Sequence, residues 1–157
     1  MNDILQRGER KVIGNMLISS RGQYAIRILL DLAIHDSGEA INVKTIAERQ
    51  ELSEKYMEQI LSVLQKAGFV VSTRGYHGGY HLTKKPENYT IGKILRIVDG
   101  PLIPATQQED IQERPVELVV NELWGNLQEQ IESTLDSVTL LDLMNSYNDK
   151  ICFSYTI

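Results

Sequence analysis

A chain of 157 residues, 42% hydrophobic and 24% charged, can build one domain with a real core plus an appended element, but not two independent domains. The net charge of -5 hides a split: residues 1–99 hold 14 Lys/Arg against 11 Asp/Glu, or +3, whereas residues 100–157 hold 2 against 10, or -8. The first part suits a phosphate-bearing partner and the second a partner chain or solvent, while the single cysteine, Cys152, excludes both an internal disulfide framework and a cluster of thiolate metal ligands within one chain.

No apolar run approaches the roughly 18 residues of a membrane span, and the first fifteen residues lack a signal-peptide core. A soluble, cytoplasmic protein without a membrane partner is expected. Met16 opens the first convincing folded segment, and residues 1–15 read as an added sequence, a misplaced start or a flexible arm, with no function assigned.

Ser20-Arg21-Gly22-Gln23 has the spacing of a capping box, and Tyr24 to His35 then supplies a strongly apolar helix. After Ser37-Gly38, Asn42 caps a short helix through Arg49, with Ile46 and Ala47 turned to the core. Leu52-Ser53 makes the next turn. Ser53 caps a third helix on which Met57, Ile60, Leu61 and Leu64 share one face and Glu54, Lys55, Glu58, Gln59 and Ser62 lie nearer the other.

Ser72-Thr73-Arg74-Gly75-Tyr76-His77-Gly78-Gly79-Tyr80-His81-Leu82 reads as a β-hairpin with a basic, flexible tip. Its glycines admit positive φ and little bulk, so the backbone can lie close against a narrow surface. No acidic residue occurs between Glu58 and Glu87, but Lys66, Arg74, Lys84 and Lys85 do. The hairpin and its flanks therefore form a positive patch suited to a polyanion. His77 and His81 could together bind a metal, but hairpin contacts or plain exposure are the favoured use of both.

Three helices, the second and third joined by a tight turn and followed by a basic hairpin, are the parts of a winged helix-turn-helix domain. The fold class is mainly α with a small β-hairpin. In that arrangement the third helix enters the major groove of double-stranded DNA and places Ser53, Lys55, Tyr56, Glu58 and Gln59 at phosphates or base edges, with Gln59 suited to adenine and Glu58 to cytosine. The hairpin tip adds Arg74, Gly75, Tyr76, His77 and Gly78. Each polar residue taken singly also fits a solvated helix face. Their ordered combination favours DNA.

Beyond a linker at 101–114, Pro115 can begin a helix on which Val116, Val120, Leu123, Leu127, Ile131, Leu135 and Val138 recur at spacings of three or four, widened by Trp124. A homodimer interface is the favoured use of this stripe, and packing back onto its own domain is the alternative. Two copies would then present two reading helices to a near-palindromic site. Thr139 with Asp142 has the capping-box pattern and starts a last short helix, Leu140 to Tyr147. After the polar break Asn148-Asp149-Lys150, the tail Ile151 to Ile157 alternates like a strand, which fits an edge strand or a frayed end.

Met16 to Ala25, Ser53 to Ile60, Ser72 to Leu82, and Thr90 to Ile94 with Asp99-Gly100-Pro101 resemble the corresponding motifs of the Rrf-two family of bacterial transcription regulators, over Met16 to about Leu143. The resemblance implies that Ser53, Tyr56, Glu58 and Gln59 belong to the recognition helix. It also implies that Arg74 and Gly75 form a minor-groove wing and that Arg21 and Tyr24 contact the DNA backbone. Cluster-binding members carry three cysteines in the linker; Pro101 to Arg114 has none here. The likeness therefore moves to the cluster-free, cysteine-metabolism branch, with no cofactor and no metal expected.

That branch is associated with cysteine synthase, an enzyme that captures a C-terminal isoleucine. The resemblance thus offers Tyr155, Thr156 and Ile157 as a partner-binding tail. The leading expectation is a homodimeric DNA-binding regulator, a repressor by likeness. The alternative is an interaction module that docks such an enzyme, with DNA binding subordinate. An enzyme is not expected, because no phosphate loop, nucleophile motif or metal motif appears.

Overall fold

The computed structural model describes residues 11–13, 16–101 and 114–154, and the side chains of residues 18–101 and 114–154. Lys11–Ile13 (β1) pairs antiparallel with Met16–Ile18 (β2), Val12 standing opposite Leu17. Lys11–Ile13, ahead of Met16, thus enters a regular element. Val12-Ile13 and Met16-Leu17-Ile18, rich in strand-forming residues and separated by only two positions, are well suited to such a ladder.

Ser20–Ile34 (α1) starts one residue earlier than a Ser20 cap requires, because Ser19 is the cap: its Oγ accepts from the Gly22 N–H at 3.0 Å. The reciprocal half of the cap comes from a distant residue rather than from Gln23. Asp99 accepts the Ser19 N–H at 2.9 Å and the Ser19 hydroxyl as well, so a carboxylate eighty positions away holds the start of α1.

Val43–Gln50 (α2) is capped by Asn42, whose Oδ1 accepts from Lys44 N–H at 2.8 Å. Glu51 adopts the left-handed conformation at φ 54°, and the chain turns into Glu54–Lys66 (α3), capped by Ser53. Met57, Ile60, Leu61 and Leu64 on α3 are fully buried, as is Ile46 on α2, so the apolar faces legible in the sequence are the packed ones. Asp31, the one buried charged residue of the described core, is held by Arg49 through Nε at 2.9 Å and Nη2 at 2.6 Å. That bidentate pair ties α2 to α1.

Val70–Thr73 (β3) and Gly79–Leu82 (β4) form the hairpin, with Ser72 opposite Tyr80. A 3-10 turn at Pro86–Asn88 leads to Tyr89, which is completely buried. Its hydroxyl donates to the Phe69 carbonyl at 2.7 Å and accepts from the N–H groups of Thr83 and Lys84, each at 3.0 Å. Ile91–Asp99 (α4), capped by Thr90, packs along α1.

Pro115–Ser137 (α5) and Leu140–Ser154 (α6) complete the chain. Their junction is fixed to the core by main-chain bonds from Ile91 N–H to Val138 O and from Leu140 N–H to Tyr89 O, both 2.9 Å. The expected capping box is present: Asp142 accepts from the Thr139 N–H at 2.8 Å and from its hydroxyl at 2.6 Å, while Thr139 Oγ1 accepts from Asp142 N–H. These bonds to Thr139 hold the Asp142 carboxyl below its ordinary range.

The apolar stripe of α5 divides between the two uses foreseen for it. Ile131, Leu135 and Val138 are half-buried against the chain's own core, which takes Ile131 and Leu135 at least partly out of a purely intermolecular face. Val116, Val120, Leu123, Trp124 and Leu127 remain exposed, joined by Leu118 and Val119, which the spacing pattern had passed over.

Helix α6 does not stop at Tyr147. Asn148, Asp149 and Lys150 are helical, and Ile151 to Ser154 continue the helix instead of forming a strand or frayed end. A polar run without Gly or Pro costs a helix only tenths of a kcal/mol per residue, and a four-residue alternation is too short to outweigh it. Tyr155, Thr156 and Ile157 lie outside the described residues, as does most of the 101–114 linker.

Tyr89→Phe tests the buried hydroxyl. Losing it leaves the Lys84 N–H without its partner, while the Phe69 carbonyl keeps the Thr83 N–H at 3.2 Å, so chemical denaturation should show a loss of about 1–3 kcal/mol, with the native fold retained in circular dichroism.

Candidate nucleic-acid interface

The polar side of α3 projects outward. Glu54, Lys55, Glu58, Gln59 and Ser62 are exposed, while Met57 and Ile60 between them are buried, so the period of the helix alone separates what can meet a ligand from what cannot. Ser53 Oγ accepts from the Tyr56 N–H at 3.3 Å, a role that uses a lone pair and leaves the hydroxyl proton for an outside acceptor. Tyr56 is half-buried. Its ring meets that of Tyr24 edge-on, with centroids 5.9 Å apart, which brings the first turns of α1 and α3 together. Arg21, one turn earlier on α1, is exposed.

The hairpin tip carries Arg74, Gly75, Tyr76 and His77 fully into the open; Tyr76 is 97% exposed, a costly position for an aromatic ring unless something covers it. Its ring stands perpendicular to that of His77 at 5.1 Å. Gly75 has φ +114°, a conformation that only glycine adopts without strain, and its carbonyl accepts from Gly78 N–H at 2.9 Å to close the tip. His77 is in the tip, whereas His81 lies within β4 opposite Val71. Among the described residues no group of three or more His, Cys, Asp or Glu could hold a metal ion.

Two further ties fix the hairpin to the helices. Gln65 Nε2 donates to Ser72 Oγ at 3.1 Å, linking the end of α3 to β3. Ile41 exchanges two main-chain bonds of 2.9 Å with Tyr80, adding the loop before α2 to the open side of β4. Gly79 makes this approach possible, since a Cβ there would collide with the Ile41 carbonyl.

The structure therefore brings together two sets of sequence-predicted residues, those of α3 with Arg21 and Tyr24 of α1, and carries the third set on a hairpin anchored to both neighbours. Sequence reasoning missed Ile41 and Gln65, which carry this anchoring. Their signal is weak because each acts through a partner distant in the chain or on another element.

A family model described as "Rrf2: Iron-dependent Transcriptional regulator" matches residues 18–146. The HTH-type transcriptional regulator CymR of Bacillus subtilis (strain 168) is 40% identical over 134 residues, covering 85% of this chain and 93% of that protein. The HTH-type transcriptional regulator IscR of Aliivibrio salmonicida is 37% identical over 132 residues, covering 82% and 77% respectively. In structure, CymR (YrzC), the global cysteine regulator of B. subtilis, superposes with a TM-score of 0.72 at 39% identity, over 82% of this chain and 96% of that one.

Proposed function

Because the chain belongs to the Rrf2 family of DNA-binding transcription regulators and is not an enzyme, we propose that it acts as a homodimeric, sequence-specific regulator of cysteine or sulfur metabolism, and as a repressor. The observation that carries DNA reading is the outward row Ser53, Lys55, Glu58 and Gln59 on α3, set beside an exposed basic hairpin tip. Tyr56 contributes at the edge of that row. In this reading α3 lies in the major groove, Arg74 to Gly78 follow the minor groove, and Arg21 with Tyr24 meets phosphates. The cysteine specificity is supported by the likeness to a global cysteine regulator. A cytoplasmic location accompanies it.

The dimer reading is supported by the exposed length of α5. Val116, Val120, Leu123 and Leu127 are each 42–74% exposed on successive turns, with Trp124 beside them, an apolar face that a second copy would cover.

The family description names iron, but the residues present do not fit an iron–sulfur cluster. The single cysteine is Cys152, exposed on α6, and the 101–114 linker has none. DNA reading is accordingly assigned to the side chains alone.

Selection from random duplexes, performed with a chelator present, should enrich a two-fold symmetric site, bound by two copies of the chain in sedimentation. Affinity should fall steeply with salt as phosphate counterions are released. Enrichment of no motif would refute the reading.

Gln59→Ala should relax the preference at one base position by roughly 1–3 kcal/mol. Arg74→Ala should weaken binding more evenly across sequences; identical profiles for the two variants would contradict the division of roles.

Cysteine synthase is the proposed protein partner, through Ile157. Calorimetry should detect the complex with the intact chain and none after removal of Ile157, while DNA binding persists. A complex that survives the removal would discard the tail.

A further inference from the structure

Resting on the DNA-reading function proposed above, we infer that Arg27 is a positioning residue that sets the recognition helix α3, acting through Gln50 on one side and Tyr24 on the other. Arg27 lies on the exposed side of α1, and as an exposed cation in the basic part of the chain it would ordinarily be taken for a phosphate contact. Its bonds give it another role. Nε donates to Gln50 Oε1 at 3.0 Å and Nη2 donates to the Gln50 carbonyl at 3.3 Å, so two donors of the guanidinium are committed to one residue. That residue is the last of α2, where the carbonyls lack helical partners and the helix dipole is negative; a cationic donor fits both conditions.

Gln50 is held from its other end as well. Its Nε2 donates to Asp31 Oδ1 at 3.1 Å, on the buried carboxylate that Arg49 already grips. Both atoms of the Gln50 amide are therefore used, immediately before the left-handed Glu51 and the Ser53 cap of α3. On its other flank the Arg27 guanidinium stands over the Tyr24 ring at 5.1 Å, and Tyr24 meets Tyr56 edge-on. Tyr56 belongs to the first turn of α3.

Tyr24, Arg27 and Asp31 follow one another at spacings of three and four, and so form one row on α1. Asp31 holds the end of α2, Tyr24 touches the start of α3, and Arg27 between them is bonded toward both. The turn linking the two helices is thus gripped on either side from a single helix face. The angle at which Gln59 and Glu58 are presented depends on that grip.

The test uses the full chain with Arg27→Ala, Arg27→Lys, Gln50→Ala and the Arg27→Ala/Gln50→Ala pair. Binding is measured on the best selected duplex and its single-base variants across a range of salt. A positioning role predicts that Arg27→Ala and Gln50→Ala each reduce discrimination between correct and altered bases by about tenfold. The salt slope should stay unchanged, and the pair should be no worse than either single change. Arg27→Lys, which keeps a cation near Tyr24 but loses the fork on Gln50, should fall between.

A uniform loss on all sequences with the salt slope reduced by about 0.9 would make Arg27 a phosphate contact and overturn the proposal. Additive losses in the pair, or unchanged discrimination in all variants, would overturn it too. Should Arg27→Ala fail to fold, Arg27→Lys and Gln50→Ala decide by the same criteria. Absence of any preference in the unsubstituted protein would instead remove the DNA-reading function, an outcome visible before any substitution is made.

Discussion

A completely buried tyrosine hydroxyl needs hydrogen-bond partners, and the way Tyr89 finds them within the protein organises much of this molecule. Its side chain gathers the Phe69 carbonyl and the N–H groups of Thr83 and Lys84, the points where the hairpin leaves and rejoins the core. Its own carbonyl accepts from Leu140, at the start of α6. One residue thus fixes the base of the hairpin through its ring and the α5–α6 junction through its main chain. Phe69 packs against the ring at 5.3 Å, so moving either attachment would disturb a filled core. The hairpin and the long helix consequently share a rigid root.

Around this root the charges are sorted by element. From Gln59 on α3 through the hairpin to Lys85 the chain carries Lys66, Arg74, Lys84 and Lys85 and no acidic residue, whereas α5 carries Glu117, Glu122, Glu129, Glu132 and Asp136 and no basic one. The basic region can be drawn to a polyanion over about one Debye length at physiological salt, roughly 8 Å, while acidic α5 is pushed from it. Orientation on a duplex follows from this sorting before any base is read. Arg96 on α4 pairs with Asp136 near the end of α5, so one cation outside the reading surface is neutralised within the chain.

Where a feature depended on local period and capping, the sequence made it legible. The buried faces of α2 and α3, the Asn42 and Ser53 caps, the hairpin and the Thr139–Asp142 box all rest on residues within a few positions of one another. What escaped had a distant partner or a close competitor. Ser20, with Gln23 three residues on, satisfies the capping-box spacing and Ser19, with Gly22, does not, yet the Asp99 carboxylate brought across by α4 bonds Ser19. Apolar spacing on α5 cannot say which molecule covers each turn, so Ile131 and Leu135 looked the same as Leu123 until α4 was placed beneath them. Helix α6 runs through Asn148-Asp149-Lys150 because polarity alone is no stop signal, whereas Gly or Pro would end a helix firmly.

The candidate site shows the same division between groups that can meet DNA and groups that aim them. Lys55, Glu58 and Gln59 were legible because a helix must turn something outward once Met57, Ile60 and Leu61 are committed inward. Arg27 was illegible for the opposite reason: an exposed arginine on a basic surface already has a sufficient explanation in its charge. Its geometry removes that sufficiency, because an arginine kept for phosphate would leave its fork open, and this one has two donors spent on Gln50 and its plane over Tyr24. Specificity in such a small reader then rests on more than the side chains that reach the bases. A helix presenting Gln59 and Glu58 discriminates only as sharply as its orientation is fixed, and that orientation is set from α1, through a turn that the bases never touch.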